Sequence, residues 1–305
     1  MKKFFFTGLL CIAVGITYMY QDEFIRVYKK YFTEANKSKN ITLTEKNKYY
    51  KDVNYNFVQT TDNFSPNNKQ DIYNIYYTVI NSGKDKFTFY CPDSYKECIS
   101  EIKYLANDQV TLSHINNFVH PYNSFKNIET LYDNTGKVTI KINHLYSYDD
   151  IKAVEEKVNE IEDKLYDSNL SIKDQIKVYH DYIIDNTIYD SDRSDNNIIK
   201  YKSDTAYGTL IEGYSLCGGY TDSIAIILND MAIENYRVSS DNHVWNAVKI
   251  DDKWYNLDLT WDDPVTNTGT QLIENDFFLI DTTTLHNIEK TEHDFDEEIY
   301  SELAI

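Results

Sequence analysis

The sequence predicts an α+β fold, because segments with the apolar spacing of helices alternate with short runs of β-branched and aromatic residues that are typical of strands. The clearest helix begins near Cys217, and apolar residues recur at i, i+3, i+4 and i+7 from Ile224. Two runs typical of strands follow it, at residues 243–250 and 254–261. With 305 residues, of which 42% are hydrophobic, the chain is long enough to bury a core in one or two domains.

Changes in composition divide the chain into four predicted segments. Residues 1–21 are predicted to be a signal anchor. Residues 22–54 are polar and poor in aliphatic residues, which is typical of a juxtamembrane stalk. Residues 55–150 are predicted to form a small α+β module without a catalytic signature, and residues 151–305 a domain that carries the chemistry.

The first segment has the pattern of an uncleaved membrane anchor. Lys2 and Lys3 precede an uncharged run over residues 4–20. Its length is close to that of a minimal membrane span, roughly 17–25 residues. No cleavage site of small residues follows, so we expect a single-pass protein of the cell membrane with its C-terminal body outside. Secretion after signal cleavage is the alternative.

The charge of the chain limits its partners. A net charge of −19 argues against nucleic acid, because little in the sequence would neutralise phosphates. An acidic surface suits solubility or a basic partner, such as a protein that bears Lys residues. We therefore expect a protein or peptide substrate at the cell surface, with the oligomeric state left open.

No cofactor and no metal ion is predicted. His286 and His293 stand seven residues apart in an acidic tail and have no partners at ligand spacing. We expect their side chains to be solvated.

The segment before residue 150 shows two hairpin patterns. Residues 72–82 and 86–90 are rich in β-branched and aromatic residues around a short polar turn, which predicts a first hairpin. Residues 128–142 predict a second, around a turn that ends at Gly136. Apolar spacing predicts helices over residues 93–105 and 149–165.

Residues 171–186 predict a strong amphipathic helix. Ser171 and Asp174 resemble a helix cap. His180 lies on this helix beside its apolar stripe, and we interpret it as a structural histidine rather than a catalytic one.

Cys217 is the candidate nucleophile. It stands at the start of a helix, where the positive end of the helix dipole favours a thiolate. Gly218 and Gly219 follow and leave room for a substrate backbone. A buried cysteine in a capping turn is the alternative, but a histidine and an aspartate follow at positions that suit a base and an orienting group.

The use of cysteine supports this choice. Cys11 falls in the apolar N-terminal run, which leaves three cysteines outside the membrane. Thiols outside a cell tend to pair. Cys91 and Cys98 are close in sequence, so we predict that they are bonded and that Cys217 is free.

His243 begins the first strand of a predicted hairpin, and Asp258 lies in its second strand. A cysteine–histidine pair needs a third group that fixes the tautomer of the imidazole and stabilises its charged form, and an aspartate does both. If Asp251 and Asp252 form a two-residue turn, His243 and Asp258 share one face of the sheet. A three-residue turn would send Asp258 to the opposite face.

The sequence resembles the transglutaminase-like superfamily, in its bacterial exported branch. The resemblance covers roughly residues 171–280 and rests on several motifs in order. They are Ala206-Tyr-Gly-Thr-Leu, Leu216-Cys-Gly-Gly-Tyr220, His243-Val-Trp-Asn-Ala-Val and Lys253-Trp-Tyr-Asn-Leu-Asp258-Leu-Thr-Trp-Asp-Asp-Pro264. It implies a papain-like core, in which a helix carrying Cys217 packs on an antiparallel sheet carrying His243 and Asp258.

The resemblance implies a cysteine-dependent acyltransferase or peptidase. We expect thiol-dependent acyl transfer on protein or peptide carboxamides, with Cys217 as nucleophile, His243 as base and then acid, and Asp258 as the orienting group. The family also includes peptidases, amidases and inactive members. A cysteine peptidase or amidase and an inactive cell-surface interaction module are therefore the alternatives.

Overall fold

The fold is a mixed α+β arrangement of two three-stranded antiparallel sheets, a short parallel pair of strands and several helices. The computed structural model describes residues 20–23, 25–28, 31, 41–264 and 272–304. Within these residues, no helix is both long enough and apolar enough to cross a membrane. Residues 1–19 of the predicted anchor lie outside the described part of the chain.

The first sheet and its helices occupy the N-terminal half. The strands stand in the order β1-β3-β2. The elements are α1 (Lys69–Asn81), β1 (Lys86–Tyr90), α2 (Cys98–Asn107), α3 (Gln109–Asn117), a 3₁₀ turn (Pro121–Asn123), β2 (Phe125–Tyr132) and β3 (Lys137–His144).

The second half carries the candidate site. Its three-stranded sheet has the order β6-β7-β8, and β4 pairs with β5 in parallel. The elements are α4 (Tyr148–Leu165), α5 (Ile172–Asp185), β4 (Ile188–Tyr189), α6 (Ser191–Asn196), a π-helical turn (Gly208–Glu212), β5 (Tyr214–Ser215), α7 (Cys217–Asp230), β6 (Asn235–Ser239), β7 (Val244–Ile250), β8 (Lys253–Leu257) and α8 (Thr282–Ile288).

The predicted first hairpin is wrong, because its first arm is the helix α1. The buried residues of α1 recur at helical spacing, and the side chain of Asn68 caps its first turn by accepting from the N–H of Asp71 (2.9 Å). The strand β1 pairs with β3 instead. These side chains have high strand propensity, which favoured the wrong prediction. Their spacing of 3.6 residues instead places the apolar ones on one face of a helix. The buried apolar residues are Ile72, Ile75, Tyr76, Val79 and Ile80.

The second predicted hairpin and the later helices are confirmed. The strands β2 and β3 meet in an antiparallel ladder, and Gly136 adopts a φ of 87° in their turn. The helix α4 begins with a reciprocal cap between Ser147 and Asp150. The Ser171 hydroxyl caps α5 by accepting from the N–H of Asp174 (3.2 Å), as the sequence predicts. The helix predicted over residues 93–105 begins later, at Cys98.

The hairpin of β7 and β8 has the predicted two-residue turn. Asp251 and Asp252 adopt left-handed φ angles of 50° and 60°, which is the pattern of a type I′ turn. Ile250 pairs with Lys253, and the same register continues to the pair Asn246 and Leu257. β8 ends there, so Asp258 lies in the turn that follows the strand.

The predicted disulfide is confirmed. Cys91 at the end of β1 is bonded to Cys98 at the start of α2, with a Cα–Cα distance of 5.8 Å. Both cysteines are buried. Among the described cysteines, Cys217 is the free one.

Aromatic rings join the two halves of the chain in one buried cluster. Tyr236 of β6 lies 4.8 Å from Phe118 and 5.2 Å from Tyr55, measured between ring centroids. Part of the segment predicted as a stalk also lies against this core. Lys51 is buried there, and its ammonium donates to the main-chain oxygen of Asn235.

Candidate active site

A cleft of about 700 Å³ opens beside the N-terminus of α7 and the beginning of β7. Cys217 and His243 both line it. Asp258 lies behind His243 and is buried. The three residues that the sequence selects therefore lie together, although 41 positions separate the first from the last in the chain.

Close backbone packing fixes the position of Cys217 at the start of α7. The N–H of Leu216 donates to the main-chain oxygen of Ser203 (2.8 Å). At Gly219, a Cβ atom would lie 2.4 Å from that same oxygen, so no larger residue fits. Gly219 is therefore needed for the close packing of the N-terminus of α7, in addition to any room that it leaves for a substrate. Because Cys217 is the first residue of α7, its N–H has no acceptor within the helix.

Two hydrogen bonds hold α7 on β7 directly behind the cleft. The hydroxyl of Thr221 donates to the main-chain oxygen of Val244 (2.9 Å). The amide of Asn246 donates to the main-chain oxygen of Thr221 (3.1 Å). Thr221 is one turn after Cys217, and Val244 is next to His243. These bonds therefore set the spacing between the thiol and the imidazole.

A buried polar network anchors the middle of α7. Tyr146 donates to the carboxylate of Asp222 (2.7 Å), and Arg237 of β6 donates to its other oxygen (3.0 Å). Tyr146 also accepts from the N–H of Ala206 (2.7 Å). Burial raises the pKa of Asp222, although Arg237 and Tyr146 oppose this effect. The network links α7 to the second sheet and to the segment before the π-helical turn.

His243 lies between Cys217 and Asp258. Its Nε2 atom faces Oδ2 of Asp258 at 2.5 Å, and since a carboxylate only accepts, Nε2 carries a proton. The other ring nitrogen is left for Cys217, whose side chain also favours the charged form of the ring. Burial opposes the charged form, but Asp258 and then Cys217 outweigh it and raise the pKa of His243 to about 10. The imidazole is therefore protonated at neutral pH.

Asp258 has four hydrogen-bond donors around its carboxylate. Oδ1 accepts from the N–H groups of Thr260 (2.8 Å) and Trp261 (3.3 Å). Oδ2 accepts from His243 and from Nε2 of His293 (3.0 Å). Burial favours the neutral carboxyl, but His243 and His293 outweigh burial and hold the pKa of Asp258 well below its usual range.

His293 was expected to be solvated, and that expectation is wrong. Its side chain has no exposed surface and lies among the rings of Trp245, Trp261 and Phe277, with centroids 4.9–5.5 Å away. The chain after α8 folds back and inserts it behind Asp258. The contact between His293 and Asp258 spans 35 residues, so local sequence patterns do not indicate it. The only nearby sign of an aromatic environment is Phe295, two positions after His293.

His180 is a structural histidine, as the sequence suggests. It is fully buried, and its Nε2 atom lies 3.0 Å from Oδ2 of Asp262. Asp262 also accepts from the N–H of Phe277 (3.0 Å). Burial raises the pKa of Asp262, although His180 opposes this effect. The pair fastens α5 to the turn that holds Asp258.

Among the described residues, one group of side chains could hold a metal ion. It consists of His243, Asp258 and His293. One ligand atom of each lies within 4.8 Å of the others. However, Oδ2 of Asp258 already accepts from both imidazoles, and its other oxygen accepts two main-chain N–H groups. The cluster is therefore satisfied by its own hydrogen bonds.

The lining of the cleft is acidic. Five carboxylate side chains and no Lys or Arg are among the described residues that line it. Tyr220 of α7 donates to one of them, Asp263. A cationic group is favoured at such a surface. The five are Asp263, Glu274, Asp276, Glu289 and Glu292.

Comparisons with known proteins find slight similarities. No family model matches the chain, and no curated protein matches it. One similar solved structure is described as "Crystal structure of a TGase"; it is 13% identical over 48% of each chain, with a TM-score of 0.34. Another is a "Putative Cysteine Protease from Cytophaga hutchinsonii", 12% identical over 48% of this chain and 65% of that one, with a TM-score of 0.27. The chain thus spans less than two thirds of either protein, and the chemistry has to be inferred from the site itself.

Proposed function

We propose that the protein catalyses thiol-dependent acyl transfer on protein or peptide carboxamides outside the cytoplasm. One observation carries this proposal. His243 donates to the buried Asp258 carboxylate with one ring nitrogen, and its other side is left for Cys217, which lines the same cleft. A thiol beside a protonated imidazole is stabilised as the thiolate, which is the reactive form.

In the first step, the Cys217 thiolate attacks the carbonyl carbon of the carboxamide and forms a C–S bond. The C–N bond breaks, and ammonia leaves with the proton that His243 supplies. The product is a thioester on Cys217. The Cys217 N–H, at the first position of α7, is suited to stabilise the negative oxygen of the intermediate.

In the second step, an amine attacks the thioester while His243 accepts its proton. The C–S bond then breaks and the thiolate returns. Asp258 keeps the imidazole in one orientation and stabilises its charged form throughout. The acidic lining of the cleft favours a cationic acceptor, such as a Lys side chain of a second protein.

Hydrolysis is the second candidate. Five of the fifteen described residues that line the cleft carry hydrated carboxylates, which favours access of water to a thioester formed on Cys217. Water in place of the amine would make the protein an amidase. A peptidase would follow the same course with the amine of a peptide fragment, instead of ammonia, as the leaving group of the first step.

One assay separates these reactions. The full-length protein in detergent is incubated with a labelled primary amine and a casein-like acceptor, and incorporation, cleavage and ammonia release are measured together. We expect amine incorporation that the Cys217→Ala variant lacks. Ammonia release or cleavage without incorporation would favour hydrolysis. No difference from Cys217→Ala in any of the three would favour a non-catalytic interaction module.

A further inference from the structure

The acid of the candidate triad has a second imidazole that the proposed chemistry does not use. Oδ2 of Asp258 accepts from His243 on one side and from His293 on the other, at 2.5 and 3.0 Å. His293 does not line the cleft and is completely buried. It therefore contacts neither substrate nor Cys217, and any effect it has on the reaction passes through Asp258.

The hydrogen bonds of His293 fix its protonation. Its Nε2 atom faces Asp258, and its Nδ1 atom faces Oε2 of Glu289 at 3.2 Å. Carboxylates accept and do not donate, so both ring nitrogens donate only when the ring carries two protons. The ring of Phe277 stacks on the imidazole with an interplanar angle of 17°, and the rings of Trp245 and Trp261 surround it.

Glu289 fastens His293 to the end of α8. The N–H groups of Thr291 and Glu292 donate to its carboxylate at 2.9 and 2.8 Å. Burial opposes the charged form, but the N–H of Glu292 and the side chain of His293 hold the pKa of Glu289 below its usual range. The carboxylate is thus charged and fixed, and it holds the imidazole of His293 in place.

We propose that His293 is a positioning residue that holds the carboxylate of Asp258 in line with His243. This role rests on the proposed function and extends it to the segment after α8. Without His293, Oδ2 of Asp258 would keep His243 as its single donor, and the plane of the carboxylate would be held by the two N–H groups on Oδ1 alone. The charged groups near Asp258 are His243, His293 and Asp262, with Cys217 and Glu289 beyond them.

Two physical effects of removing His293 have opposite signs, which makes the role testable. A positive charge on His293 would repel the charged form of His243. If His293 acted through this charge alone, its removal would raise the pKa of His243. As a positioning group, it keeps Asp258 on His243, so its removal would lower that pKa toward the ordinary value of about 6.5. The sign of the shift therefore distinguishes positioning from simple electrostatics.

The experiment follows the ¹⁵N resonances of His243 against pH in the full-length protein in detergent. His293→Leu fills the aromatic surroundings but supplies no donor, whereas His293→Gln keeps an N–H near the place of Nε2. Asp294→Asn alters an exposed neighbour and serves as the matched control. We expect the pKa of His243 to fall by one unit or more, at about 1.4 kcal/mol per unit, in His293→Leu. It should stay at or above the wild-type value in His293→Gln and be unchanged in Asp294→Asn.

A rise or no change in His293→Leu would overturn the proposal, and so would a fall of the same size in Asp294→Asn. If His293→Leu does not fold, a measurement on the wild-type protein still tests the proposal. We expect a slowly exchanging proton on Nε2 of His293 with a hydrogen-bond coupling to Asp258, and a bare Nε2 would overturn the proposal. The alkylation rate of Cys217 by iodoacetamide is measured in parallel. A slow Cys217 contradicts the proposed function, whereas a fast Cys217 with an unshifted His243 contradicts the role of His293 alone.

Discussion

Thr221 of α7 donates a hydrogen bond to the main-chain oxygen of Val244, the residue that follows His243 (2.9 Å). Thr221 is itself one helical turn after Cys217. One buried hydroxyl thus joins the helix that carries the thiol to the strand beside the imidazole.

Replacing Thr221 by Val should loosen this connection. Val has nearly the same shape but leaves the oxygen of Val244 without its donor, so we expect a loss of about 1–2 kcal/mol in the free energy of unfolding. We also expect slower alkylation of Cys217, because His243 is held less closely. Urea unfolding and iodoacetamide kinetics measure the two effects. Thr221→Ser keeps the hydroxyl and should behave like wild type; equal rates in Val and Ser variants would contradict the role of the bond.

The length of the turn between β7 and β8 should control reactivity through the register of the two strands. Deleting Asp252 leaves Asp251 and Lys253 as a two-residue turn, so that β8 slips by one residue against β7 and Asp258 shifts relative to His243. We expect the alkylation rate of Cys217 to fall to that of a small thiol in solution. One glycine inserted between Asp251 and Asp252 lengthens the turn without changing the strand pairs and should preserve the rate. A fast Cys217 after the deletion would show that the register does not position Asp258.

The stability of the fold should fall at alkaline pH through His243. Its pKa is raised to about 10 in the folded protein, from an ordinary value of about 6.5. The stabilisation is therefore complete below about pH 6.5 and is lost as the pH rises through about 10. Lys51 acts in the opposite direction, because burial lowers its pKa to about 7.

The contribution of His243 is isolated by comparison with His243→Gln. Urea unfolding between about pH 6.5 and pH 10 should show a steeper loss of stability in wild type than in the variant. Parallel pH dependences would mean that Asp258 and Cys217 do not stabilise the charged imidazole.

The disulfide between Cys91 and Cys98 should support the fold but not the chemistry. It closes a short loop with a sequence separation of 7, for which chain entropy predicts a contribution of about 2–3 kcal/mol. The double variant Cys91→Ser/Cys98→Ser should therefore unfold at lower temperature and keep the wild-type alkylation rate of Cys217. A large change in that rate would mean that the first sheet influences the cleft.

The candidate site was predictable where local patterns decide the structure. The start of α7 follows from apolar spacing after Cys217, and the register of the hairpin follows from the two aspartates in its turn. This register brings His243, just before β7, and Asp258, just after β8, to the same end of the sheet. These features depend on residues that are near one another in the chain, which sequence patterns describe well.

The predictions that were wrong concern residues whose structure depends on distant packing or on a competing propensity. Residues 72–82 have the composition of a strand, but their buried side chains recur at the spacing of a helix and lie in the hydrophobic core. His293 meets Asp258 across 35 residues, and apart from Phe295 nothing near it in the sequence indicates the aromatic surroundings that bury it. The contact depends on the path of the chain after α8.

The most direct test of the central claim is the alkylation of Cys217 by iodoacetamide at about pH 6, where an ordinary cysteine with a pKa of about 8.5 is almost entirely protonated. Mass spectrometry of the peptide that contains Cys217 gives the rate in wild type, His243→Gln and Asp258→Asn. If Cys217, His243 and Asp258 act as a unit, wild type reacts at least about tenfold faster than cysteine in solution, and both variants lose this advantage. A wild-type rate equal to that of cysteine in solution, or one that neither variant changes, would contradict the claim.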